Sequence, residues 1–156
     1  MYKKIKSFLN GGEYSEHVLT NKLRSDYKLV KTIGIEFARM GREAKATPVV
    51  HFKSQEYADI YGVLENTKYY RKCPDLKIDG KFYEVEGYVP PFKRDKISGM
   101  LGKGLVQASH VVINNTKGAS DRYIKKIMFD RIRQRQCVDE VWLYEKGKIR
   151  LLYKKQ

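Results

Sequence analysis

Apolar positions along the chain alternate between a helical and a strand period, and the changes of period mark its elements. Over residues 27–42, Leu29, Val30, Ile33, Phe37 and Met40 recur at helical spacing, and Gly41 stands where such a helix would end. The run TPVVHF, residues 47–52, is β-branched and aromatic enough to predict a strand. Residues 54–72 predict a helical turn or two capped by Ser54, then an aromatic and basic loop with Tyr69, Tyr70, Arg71 and Lys72. Residues 88–96, with Pro90-Pro91, predict a loop. A helix over residues 95–108 carries Ile97, Met100, Leu101 and Leu105 on one stripe, with Lys103 and Gln107 one turn apart along its margin. HVVINN, residues 110–115, reads as a buried strand, and a helix capped by Ser120 runs over residues 121–136. Residues 140–153 form a terminal hairpin about Lys146-Gly147, with Trp142 in its core face. Residues 1–26 are polar, broken at Gly11-Gly12. They predict a segment packed on the main domain of residues 27–156, with a short helix over residues 15–23 that keeps His17 in solvent.

Helices alternating with strands define an α/β class, here a mixed central sheet flanked by helices with a C-terminal β-hairpin. At its centre lies CPDLKIDGKFYEVEG, residues 73–87. Asp79-Gly80 between two extended runs is a hairpin signal. Side-chain alternation then puts Glu84 and Glu86 on one face of the returning strand. Two carboxylates on one face, with Asp75 at the mouth of the same hairpin, repel each other unless a positive charge sits among them. A divalent cation answers that need. Projection of the helix over residues 27–42 places Glu36 inside its apolar stripe. Either a local ion pair or wet helix edge accommodates it, or it faces the acidic hairpin and helps to hold the cation.

Composition narrows the partners. In 156 residues, 32 Lys and Arg against 18 Asp and Glu give a net charge of +14, which favours a polyanion such as nucleic acid over a membrane. Tyr69, Tyr70, Arg71 and Lys72 offer rings and cations to bases and phosphates, and Lys125 and Arg131 lie on a basic helix face suited to tracking phosphates. No secretory signal and no apolar run of membrane-spanning length is read, so the expected place of action is the cytoplasm. Cys73 and Cys137 are too few for a disulfide framework or a cysteine zinc site.

Pro74-Asp75, followed by Glu84 on the next strand and by KGLVQASHVVIN from Lys103, resembles the PD-(D/E)XK nuclease superfamily, the restriction-endonuclease-like fold. In detail it is similar to the C-terminal nuclease domains of contact-dependent growth inhibition toxins, over residues 27–144. The resemblance implies that Asp75, Glu84 and the Val85 carbonyl bind a divalent metal, Mg²⁺ or Mn²⁺ before Zn²⁺. It implies that Lys103 orients water or stabilises the transition state, that Gln107 positions phosphate or water, and that Glu36 is the acid of the first helix. The chain departs from the pattern at Glu86, where the superfamily carries a lysine. Glu86 is then a second metal ligand or a proton acceptor, with both roles open. The implied activity is phosphodiester hydrolysis of RNA, including transfer RNA, or of DNA, and an acidic immunity protein is the implied partner. A catalytically inactive nucleic-acid-binding module on the same fold is the alternative.

Overall fold

The computed structural model describes residues 1–88 and 90–156. Position 89, in the loop read over residues 88–96, lies outside them. Among the described residues, eight strands and four α-helices make a mixed α/β fold, as the changing period predicts. The chain divides into two compact units, Met1–Lys81 and Phe82–Gln156.

In the first unit, β1 (Tyr2–Ser7) runs antiparallel to β2 (Glu13–His17), β2 parallel to β3 (Glu43–Ala46), and β3 antiparallel to β4 (Leu76–Ile78). The helix expected over residues 15–23 is therefore absent, and its first three residues are strand. In β2 the period is two, but one of the inward positions is an acid: Tyr14 is fully buried and Glu16 is 3 % exposed. His17 is buried too and not in solvent. Its ring meets Tyr2 edge-on at 5.0 Å, its Nδ1 accepts the Leu19 N–H at 3.1 Å, and burial lowers its pKa.

Helix α1 (Tyr27–Arg39) packs Val30, Ile33, Phe37 and Ala38 inward. Gly41 closes it, with a φ of 89° that a side chain would resist. The strand expected over residues 47–52 is also displaced, and β3 precedes it. The Thr47 N–H still donates to the Asp75 carbonyl at 3.0 Å, but Pro48 has no N–H with which to continue the ladder. Helix α2 (Gln55–Tyr61) starts as predicted, with Ser54 Oγ accepting the Tyr57 N–H at 3.1 Å. The turn Asp79-Gly80 has φ of 48° and 84°, the left-handed pair that a two-residue hairpin turn needs. The Asp79 carboxylate reaches back to accept from Arg42 Nε at 2.7 Å and from the Glu43 N–H at 2.9 Å. Burial raises its pKa, but these donors outweigh it and hold the carboxyl below the ordinary range.

In the second unit, β5 (Lys81–Glu86) pairs parallel to β6 (His110–Asn114), β6 parallel to β7 (Glu140–Glu145), and β7 antiparallel to β8 (Lys148–Lys154). Parallel neighbours need crossovers, which α3 (Lys96–Gln107) and α4 (Asp121–Arg133) supply. Ile97, Leu101 and Leu105 of α3, Ile124 and Met128 of α4, Val111 and Ile113 of β6, and Val141 and Leu143 of β7 form one core. Each such buried aliphatic side chain contributes roughly 1.5–3 kcal/mol. Ser120 caps α4 through the Tyr123 N–H at 3.2 Å, and Lys146-Gly147, with φ of 50° and 82°, turns the terminal hairpin. Trp142 is in the core, as expected. No helix among the described residues is long and apolar enough to cross a membrane.

Candidate functional site

Asp75 precedes β4 in the first unit and is 6 % exposed. Its backbone position is fixed by buried neighbours: Thr47 Oγ1 donates to the Pro74 carbonyl at 2.6 Å, and the Tyr61 hydroxyl lies 3.2 Å from the same oxygen. The carboxylate borders a cavity of about 130 Å³ whose polar wall includes Asn21, Arg24, Asp26, Tyr27 and Thr47. Arg24 Nη2 stands 3.8 Å from Asp75 Oδ1 and 2.9 Å from Asp26 Oδ2, so its guanidinium is shared between two acids. Glu36 is half-buried on α1 and accepts from Arg39 Nε at 3.0 Å. Of the two accounts of Glu36, the geometry provides the local ion pair, one turn along its own helix.

In the second unit, Glu84 and Glu86 are half-buried, while Tyr83 and Val85 between them are buried. Glu84 pairs with Val111 and Glu86 with Ile113, so both acids lie on the sheet face that α3 covers. Helix and strand are in close contact there. A Cβ on Gly104 would stand 3.0 Å from Glu86 Cγ and 3.0 Å from Val111 Cγ1, so a side chain there would make these neighbours give by a few tenths of an ångström, and the glycine lets α3 sit low. Lys103 precedes that glycine and is exposed; Gln107, one turn on, is half-buried. Asp75 belongs to the first unit, and Glu84, Glu86, Lys103 and Gln107 to the second.

The residues read as contacts to nucleic acid divide in their surroundings. Tyr70 and Arg71 are exposed, and Tyr69 and Lys72 are half-buried. Lys125 is exposed on α4, whereas Arg131 is half-buried and donates to the Ser98 carbonyl at 3.0 Å and to Ser98 Oγ at 3.2 Å. Its guanidinium lies where a side chain on Gly102 would be, so Arg131 serves the packing of α4 on α3. Burial raises the Cys73 thiol pKa, which disfavours the thiolate and suits a packing role.

Two buried acids escaped sequence reading. Glu16 Oε2 accepts from the Tyr14 hydroxyl at 2.8 Å and the Tyr27 hydroxyl at 2.7 Å. Burial and this carboxylate raise the pKa of both tyrosines, Tyr27 up to about 12. In the second unit, Glu140 Oε1 accepts from the Tyr83 hydroxyl at 2.9 Å and Trp142 Nε1 at 2.7 Å, and His110 Nε2 lies 3.5 Å from Oε2. No motif spacing marks either acid: Glu16 is an inward polar member of β2, and Glu140 opens the continuous buried run of β7.

The donors at Asp75, Glu84 and Glu86 are carboxylate oxygens, the hard ligands that Mg²⁺ and Mn²⁺ take. Among the described residues no three His, Cys, Asp or Glu side chains gather as one metal-holding group. Comparison of the chain with family models, with curated proteins and with solved structures gives no match.

Proposed function

We propose that the protein is a metal-dependent endonuclease that hydrolyses phosphodiester bonds in RNA or DNA, built on the PD-(D/E)XK plan and toxin-like, with an acidic immunity protein as partner and the cytoplasm as its place of action. The observation that carries this reading is the seating of α3 at Gly104 against Glu86 and Val111, which sets Lys103 and Gln107 along the helix that covers the acidic strand face. The chain order of α1, β3, β4, β5, α3 and β6, with Asp75 before β4 and Glu84 on β5, supports it. So does a net charge of +14.

By the resemblance, Asp75, Glu84 and the Val85 carbonyl are the candidates for holding the cation. When bound, it would lower the pKa of a water and offset charge on the scissile phosphate. The Lys103 ammonium stabilises negative charge that grows on the phosphate oxygens, and the Gln107 amide holds phosphate or water in line. Glu86 would serve as a further ligand or take up the proton of the attacking water.

The replacement of the superfamily's strand lysine by Glu86 favours a second reading, a binding module without catalysis. One experiment separates them. Purified protein and Glu84→Ala are incubated with transfer RNA, single-stranded RNA and supercoiled plasmid, each with Mg²⁺, Mn²⁺, Zn²⁺ or EDTA. Cleavage that needs both metal and Glu84 is expected. Absence of cleavage under every metal, with salt-sensitive binding that survives EDTA, would overturn the nuclease and leave the binding module.

A further inference from the structure

On the first unit, the aromatic and basic residues around Tyr70 form a layered surface that core packing does not require. The floor is Tyr57, 2 % exposed, and Tyr61, fully buried, with ring centroids 5.0 Å apart. Above it, Tyr70 meets Tyr57 edge-on at 6.0 Å and Phe52 edge-on at 6.1 Å, yet remains 38 % exposed. His51 is exposed and lies nearly parallel to Phe52, at 4.7 Å and 23°. Its Nδ1 accepts the Lys53 N–H at 3.1 Å, so its neutral ring carries the proton on Nε2.

Arg71 completes the layer. Its guanidinium carbon stands 4.2 Å from the Phe52 ring centroid, in cation–π contact. Its backbone is left-handed, with a φ of 74° that a non-glycine residue resists, and its N–H donates to the buried Tyr57 hydroxyl at 2.8 Å. That hydroxyl in turn donates to the Lys72 carbonyl at 3.0 Å. An unfavourable backbone conformation is thus held in place, and it leaves a cation spread over an aromatic ring at the surface. Among the described residues, no carboxylate lies within ion-pair distance of Lys53, Lys68, Arg71 or Lys72.

Partly exposed aromatic rings interleaved with unneutralised cations match one ligand chemistry: flat bases joined by phosphates. In a duplex the base faces are covered by their neighbours; an unpaired strand offers them. We infer that His51, Phe52, Tyr70 and Arg71 form a stacking ledge for the unpaired bases of single-stranded nucleic acid, with Lys53 and Lys72 on its phosphates. The inference rests on the nucleic-acid reading above and names the form of the substrate. Arg71 and Asp75 are four residues apart, a chain length of at most about 14 Å, so a short bound strand reaches from the ledge to Asp75.

The test measures binding alone. Fluorescence anisotropy in EDTA compares the intact protein with a labelled 12-nucleotide single strand, as RNA and as DNA, and with the same sequence as a duplex. A parallel titration uses single strands that contain 2-aminopurine, whose emission is quenched on stacking. The expected result is at least tenfold tighter binding of a single strand than of the duplex, with quenching. Tyr70→Ala and His51→Ala should each weaken binding at least fivefold and reduce quenching, while Tyr70→Phe retains both. Equal or tighter duplex binding, or unchanged affinity and quenching in Tyr70→Ala with a wild-type circular dichroism spectrum, would overturn the ledge. Metal-dependent cleavage of duplex DNA could still stand after that outcome. Conversely, single-strand binding without cleavage under any metal would overturn the nuclease and support the ledge.

Discussion

The hydroxyl of Tyr27, at the first turn of α1, donates to Glu16 Oε2 on β2 at 2.7 Å. Tyr14 donates to the same oxygen, so one buried carboxylate ties helix to strand. Removing the acceptor leaves the Tyr14 hydroxyl buried without its partner, at a cost of about 1–3 kcal/mol. Glu16→Ala should therefore destabilise the protein by about 2 kcal/mol in urea unfolding, and Tyr27→Phe by about 1 kcal/mol, since Tyr27 is closer to solvent. A Glu16→Ala midpoint equal to the wild type would show that the carboxylate does not hold these elements together.

The same clasp gives a pH dependence. Folding raises the Tyr27 pKa to about 12, above the value near 10 of an exposed tyrosine, and raises that of Tyr14 as well. A group whose folded pKa is raised contributes stability that is whole below its unfolded pKa. That contribution is present below pH 10 and is lost as pH rises through about 12. Equilibrium unfolding between pH 8 and pH 12 should show a decline above pH 10 that is shallower in Tyr27→Phe. Parallel curves for the two proteins would remove Tyr27 as a cause.

Two glycines of α3 make opposite predictions. Gly104 meets Glu86 and Val111, whereas a Cβ on Gly99 would find nothing within 4 Å. Gly99→Ala should stabilise the helix by about 1 kcal/mol through propensity alone. Gly104→Val should lose about 1–3 kcal/mol by overpacking, because Val111 is held in the sheet and cannot yield. Thermal melts of the two variants check this; a stabilised Gly104→Val would mean that α3 does not sit as close to β5.

Lys103 separates chemistry from affinity. Its ammonium is exposed and is part of no ion pair within α3 or β5 among the described residues. Lys103→Ala should keep the fold and substrate binding but reduce single-turnover cleavage by about 100-fold, the scale of losing one positioned charge at a transition state. Unchanged turnover would take Lys103 out of the mechanism.

The long amphipathic helices, the buried strand at His110, the Asp79-Gly80 turn and the terminal hairpin were legible because each carries a strong period or a turn with strict backbone demands. What escaped notice was small or polar. β3 is Glu-Ala-Lys-Ala, whose inward alanines bury without the branched or aromatic signature of a strand. β2 hides Glu16 among inward positions because two tyrosine hydroxyls, one of them 11 residues away, make that burial tolerable. Projection put Glu36 inside the apolar stripe, and the residue is half-buried; its partner is Arg39, and an i,i+3 comparison along the sequence would have found the pair. For the acids and Lys103, the sequence placed Glu84, Glu86 and Lys103 on their elements, and the Gly104 contact added how closely those elements approach.

Among the described residues, β1 has a hydrogen-bonded strand neighbour on one side only, β2, and its sequence is Tyr-Lys-Lys-Ile-Lys-Ser. An open strand edge invites another chain to pair with it, and lysines along it discourage that approach through charge and bulk. Lys3, Lys4 and Lys6 therefore guard against self-association. Part of the positive charge that suggests a polyanionic ligand thus serves solubility. Neutralising the three together would leave the ledge intact and expose the protein to edge-to-edge aggregation.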